Sequence, residues 1–179
     1  MRGTHSLLAI LLLCTAGTAH ARNSRMGLLA NRMGLALGNV SSLSAAPATI
    51  TFYATNPNSG AVAGSSQATI SWQVVSGSHL QGWSLSVQAA SASFMNCSQI
   101  PASAVQVSCS AAPVSGGNGS GTCGGPAPLS TTLQQVAGGA EGDNTNTYTV
   151  YLTFTLAESW RYVANSSCTL SLTYSVNAQ

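Results

Sequence analysis

From Tyr148 to Leu156 the chain alternates, without a break, between large apolar residues and residues that carry a hydroxyl group. Side chains of an extended chain point to opposite faces in turn. The pattern therefore calls for a strand with Tyr148, Val150, Leu152, Phe154 and Leu156 in a core and Thr149, Tyr151, Thr153 and Thr155 toward water. The same alternation returns at residues 48–55, with Ile50 and Phe52 inward and Tyr53 outward, and at residues 67–75, with Ile70, Trp72 and Val74 inward. It recurs at residues 82–89 (Trp83, Leu85, Val87), 105–109 (Val105, Val107, Cys109) and 168–176 (Cys168, Leu170, Leu172, Tyr174, Val176), and more faintly at 132–137. Clusters such as Asn56-Pro57-Asn58-Ser59-Gly60 turn the chain between these runs. These seven strands, with no helical stretch in the body of the chain, predict an all-β fold: an antiparallel Ig-like or Greek-key β-sandwich.

The first residues follow a different logic. Arg2, the apolar run 7–13 and Ala19-His20-Ala21 read as a secretory signal peptide spanning residues 1–21, whose removal also takes Cys14. No later run reaches the roughly 20 apolar residues of a membrane helix, so no transmembrane segment is expected after cleavage. Residues 22–44 are expected to form a flexible leader and residues 45–179 the sandwich domain. Within the leader, Arg25-Met26-Gly27-Leu28 is nearly repeated by Arg32-Met33-Gly34-Leu35. Gly27, Gly34 and Gly38 would each cost about 1 kcal/mol inside a helix. In an extended form, Met33, Leu35 and Leu37 share one side and Gly34, Ala36 and Gly38 the other, which marks Met33, Leu35 and Leu37 as a candidate assembly segment.

Four cysteines remain after cleavage: Cys97, Cys109, Cys123 and Cys168. An even number in an exported chain reads as two disulfides, for which three pairings are open. Cys97 with Cys109 and Cys123 with Cys168 is the expected choice, because the first pair closes a short local loop. A zinc site is disfavoured, since no two thiols form a C-x-x-C pair.

Charge narrows the functional classes. The chain has no Lys, and residues 45–179 carry Arg161 against Glu141, Asp143 and Glu158, a net charge of −2. That is no footprint for nucleic acid. His79 is the only histidine left after cleavage, has no carboxylate near it in sequence, and lies in an expected turn. No serine sits in a Gly-x-Ser-x-Gly turn. The supply of acids, bases and nucleophiles points away from an enzyme and calls for no cofactor. The only cluster of hard oxygen ligands is Glu141, Asp143 and Asn144, a calcium candidate whose spacing does not match an EF-hand. Tyr53, Tyr151, Trp160, Arg161 and Tyr162 are candidates for an aromatic and cationic contact patch.

Gly82-Trp83-Ser84-Leu85-Ser86-Val87 followed by Phe94 resembles the first signature of bacterial WxL cell-surface domains. That family's second Trp-x-Leu has Leu172-Thr173-Tyr174-Ser175-Val176 in its place here. The resemblance implies a secreted β-rich module attached non-covalently to a cell wall. The whole-chain pattern is also similar to pilin-like and spore-coat-like subunits, low-charge Ser/Thr-rich sandwiches with a disulfide, which implies polymerisation by a strand donated from one subunit to the next. The expectation is an exported, non-enzymatic structural or adhesive protein, secreted or held at the cell surface. Its partner would be an envelope component or a like subunit. The alternative is a carbohydrate- or ligand-binding module that stacks sugars on exposed aromatics.

Overall fold

A computed structural model of the chain describes residues 40–54, 60–74, 81–142, 145–157 and 166–178. The signal peptide, the assembly segment Met33, Leu35 and Leu37, and His79 lie outside these residues, as do Asp143, Asn144, Trp160, Arg161 and Tyr162.

Two antiparallel sheets face each other. The first runs β1 (Val40–Ala46), β4 (Ala68–Val74), β11 (Asn146–Ala157), β6 (Val105–Ala111), β9 (Ala127–Pro128), with β3 (Ala61–Ala63) and β7 (Val114–Ser115) also paired to β11. The second runs β2 (Thr49–Ala54), β12 (Ser166–Ala178), β5 (Gly82–Ala89), β10 (Gln134–Ala140), β8 (Thr122–Cys123). The seven strands read from the alternation are present as β2, β4, β5, β6, β10, β11 and β12. The strand count exceeds seven because β1, β3, β7, β8 and β9 join them. β3, β7, β8 and β9 are two or three residues long, too short for a period of two to declare itself. β1 starts at Val40, inside the segment expected to be leader; a register shift between Val40 and Ser42 interrupts its alternation, which hid it.

β11 is the central strand of the first sheet and alternates buried with half-buried side chains along nearly its whole length. Its register sets Tyr148 opposite Trp72 and Val150 opposite Ile70 on one side, and Phe154 opposite Val107 on the other. β12 does the same for the second sheet: Cys168 lies opposite Phe52, Leu170 opposite Ile50, and Tyr174 opposite Val87. A bulge between Gln135 and Ala137 lets two consecutive residues, Val136 and Ala137, both face the core.

The disulfides are Cys97–Cys168 and Cys109–Cys123, so the expected pairing is corrected. Loop length alone does not discriminate, because Cys109–Cys123 closes a local loop of 14 residues as naturally as Cys97–Cys109 would. What decides is position. The connection after β5 folds back along β12, where Ala90 N–H donates to Ser171 O at 2.9 Å and Met95 N–H to Thr169 O at 3.0 Å. That brings Cys97 to Cys168 in the core, with Cα atoms 5.5 Å apart. Cys109 on the first sheet meets Cys123 on the second and ties the two layers together at their β6 and β8 side.

Candidate functional site

The chain crosses between the sheets at Ala46–Pro47, a cis bond. β1 therefore ends as the edge of the first sheet and β2 begins as the edge of the second. The two edges differ. Thr51, in the middle of β2, has both backbone groups taken by Ser65: its N–H donates to Ser65 Oγ at 3.2 Å and its carbonyl accepts from Ser65 N–H at 2.8 Å. Among the described residues β1 pairs with β4 alone. At the far side of the first sheet the edge is β9, where Pro128 lacks an N–H to offer. The far edge of the second is β8, only Thr122 and Cys123.

Lys, Arg, Asp and His do not occur among the described residues, and Glu141 is the only Glu. It is buried, at 3% exposure. The outer faces are covered instead by hydroxyls and amides that bond one another across strands, as in Ser71 Oγ to Thr149 Oγ1 at 2.8 Å and Gln67 Nε2 donating to Ser110 Oγ at 3.0 Å. The described surface is thus uncharged.

The end of the core near the start of β11 holds an aromatic cluster. Trp72 stacks on Tyr148, with centroids 5.5 Å apart at 13°, and Trp83 crosses from the other sheet to meet Trp72 edge-on at 4.9 Å. The segment 115–125, which its Gly and Ser content marks as mobile in the sequence, lies directly on this cluster. Trp83 Nε1 donates to Ser120 O at 2.9 Å, and Ser120 bonds Ala140 through both its N–H (3.0 Å) and its Oγ (3.1 Å). Its glycines are what allow the approach: a Cβ on Gly119 would stand 2.5 Å from Tyr148 Oη, and one on Gly121 would strike Ala112 O. Tyr148 Oη accepts the Gly142 N–H at 3.2 Å. Burial is the main cause that pushes the Tyr148 hydroxyl above its ordinary pKa, with the neighbouring Glu141 charge adding to it and the Gly142 bond opposing. The sequence carried a signal for this site in the inward Trp72, Trp83 and Tyr148; nothing local tied them to the glycines.

Beside β8 and β10 lies an open cleft of about 630 Å³ lined by Trp83, Thr122, Cys123, Gln135 and Gly139 among others. None of its lining residues titrates, Cys123 being held in a disulfide.

The described residues among those singled out in the sequence do not come together in one site. Tyr53, 59% exposed, stands on the outer face of β2 in the second sheet. Tyr151 is half-buried on β11 in the first. They belong to opposite surfaces and form no shared stacking platform. Of the calcium candidates only Glu141 is described, and among the described residues no group of three or more His, Cys, Asp or Glu is placed to hold a metal. Comparison of the chain with protein-family models, curated proteins and solved structures returned no match.

Proposed function

We propose that this chain is an exported, non-enzymatic structural subunit that works at a cell surface or outside the cell by associating with like subunits. One observation carries this reading: the described fold presents no charged side chain to solvent, its single carboxylate, Glu141, being buried. Soluble domains normally keep apart through net charge and by guarding sheet edges with charges, Pro or bulges. Here the outer faces are hydroxyl and amide, and repulsion between copies is small. Two disulfides fit an oxidising compartment. Among the described residues no helix is long and apolar enough to cross a membrane. In this reading the leader, with Met33, Leu35 and Leu37, either contributes a strand to a neighbouring subunit or serves as a spacer.

Light scattering on the exported protein, with and without residues 22–39, tests the proposal. Association that persists from low to high salt is expected, since few charges take part. Loss of association without the leader would assign assembly to Met33, Leu35 and Leu37. A strict monomer at high concentration, with no affinity for envelope material, would overturn the reading. Adsorption of such a monomer to insoluble polysaccharide, abolished by Tyr53→Ala, would replace it with a stacking module.

A further inference from the structure

We infer that β1 is the contact through which one copy of this chain joins a second, the two β1 strands running antiparallel across a twofold axis. The inference rests on the reading above, that like subunits associate, and names the surface that does it. The sheet edges differ in what already covers them. β2 is sealed at Thr51 by Ser65. β8 and β9 offer two residues each, and Pro128 removes a donor from β9. Among the described residues two stretches pair with a strand on one side only: β1, seven residues long, and the second half of β12, which pairs with β5 but not with β2 beyond Leu172, whose N–H donates to Ala48 O at 2.8 Å.

Apolar burial separates these two. On the half of β12 beyond Leu172, Tyr174, Val176 and Ala178 are already 2%, 0% and 3% exposed, so a neighbouring strand there would remove little apolar surface from water. On β1, Val40, Leu43 and Ala45 touch the core yet remain only partly buried. A strand laid beside β1 would satisfy its outward backbone groups and also remove apolar surface from water.

The sequence of β1, Val40-Ser41-Ser42-Leu43-Ser44-Ala45-Ala46, contains no charge and no Pro, and its one register shift lies at its start, between Val40 and Ser42, which leaves Ser42 to Ala46 in regular pairing. It is compatible with its own image. Pairing centred on Leu43 sets Leu43 against its counterpart on the inner face and Ser42 against Ser44 on the outer face, twice. A twofold interface is self-complementary by construction and closes, so the first sheets of two copies would merge into one continuous sheet without forming an open fibre.

Ser42 and Ser44 are exposed, so Lys at both positions leaves the core of the fold intact. In the full exported chain, Ser42→Lys/Ser44→Lys is expected to raise the concentration for half-assembly about tenfold at low salt, since each twofold pairing would oppose like charges directly across strands, and to lose much of that effect at high salt. Ser42→Glu/Ser44→Glu should fail alone in the same way. An equimolar mixture of the Lys and Glu variants should recover assembly, because β1 then meets a complementary β1. Asn177→Lys, at an exposed position on the half of β12 beyond Leu172, should leave assembly at the wild-type level. Assembly untouched by both β1 variants, or lost with Asn177→Lys, would overturn the inference while leaving the subunit reading in place. Variants that fail alone and are not rescued by mixing would show that β1 meets a different surface. A wild-type protein that stays monomeric would remove the reading on which the inference rests.

Discussion

The two ends of the sandwich are each closed by a connection pinned with a disulfide, but by opposite means. At the start of β12, the connection between β5 and β6 inserts large apolar side chains. Phe94 meets Phe52 edge-on at 5.6 Å, Ile100 is fully buried, and Cys97–Cys168 is locked inside with exposures of 1% and 0%. At the other end, where Trp83 lies opposite Ala178, the segment 115–125 closes the core with backbone. Glycine takes the place of side chains, Ser120 supplies hydrogen bonds, and Cys109–Cys123 sits at the surface. The first end is held by burying area, the second by close approach. Close approach leaves no apolar signature in the sequence and tolerates almost no added atoms.

The largest expected effect is at the apolar end. Cys97–Cys168 spans 71 residues, and the chain-entropy relation assigns a loop of that length about 4.4 kcal/mol at 25 °C. The Cys97→Ala/Cys168→Ala variant should lose an amount of that order in urea unfolding. A loss under 1 kcal/mol would mean that Phe94 and Ile100 hold this end without the bond. Cys109–Cys123 spans 14 residues, for which the same relation gives about 3 kcal/mol. Because Cys123 is exposed while both members of the other pair are buried, mild thiol treatment should open Cys109–Cys123 first. Alkylation with peptide mapping reads the order, and labelling of Cys97 and Cys168 ahead of the others would break the contrast.

Gly119→Ala should cost about 1–3 kcal/mol by overpacking against Tyr148. Gly125→Ala, which would meet nothing within 4 Å, should be close to neutral. Equal thermal midpoints for the two would show that the glycine segment yields to the added methyl.

The smallest effect is one of pH. The Tyr148 hydroxyl is pushed above its ordinary value of 10.0, chiefly by burial. In the unfolded chain it ionises near pH 10, while the folded state holds its proton to higher pH. Its contribution is therefore fully present below pH 10 and is lost as pH rises through the folded value. Tyr174, whose hydroxyl donates to Pro47 O at 2.9 Å, is also raised by burial and acts in the same direction. Among the described residues the apolar plug of Phe52, Phe94, Ile100 and Cys97–Cys168 contains no titrating group. Tyr148→Phe should thus flatten part of the stability loss above pH 10. An unchanged alkaline slope would assign that loss, among the described tyrosines, to Tyr174.

Legibility followed the range of the interactions. β11 and β12 could be read residue by residue, because a period of two records which side of a strand is buried. β1 was missed because its bulge breaks the period. The placement of segment 115–125 is not legible in composition, which describes a loop's freedom in isolation, whereas Ser120 bonds Trp83 on β5 and Ala140 on β10, and Gly119 and Gly121 lie against Tyr148 and Ala112. Tyr53 and Tyr151 were each correctly read as outward, yet no sequence pattern could say that they face away on different sheets.

The sequence by itself determined an all-β sandwich, the inner face of each long strand and a body almost without charge. These follow from alternation and composition, which every short window of the chain carries locally. Only the tertiary structure decided which cysteines pair, that glycines close one end of the core, and that among the described residues β1 pairs with β4 alone while Ser65 seals β2 at Thr51. Each of those depends on which distant segments come to lie side by side, and registers between strands remote in sequence are set by the packing of the whole core.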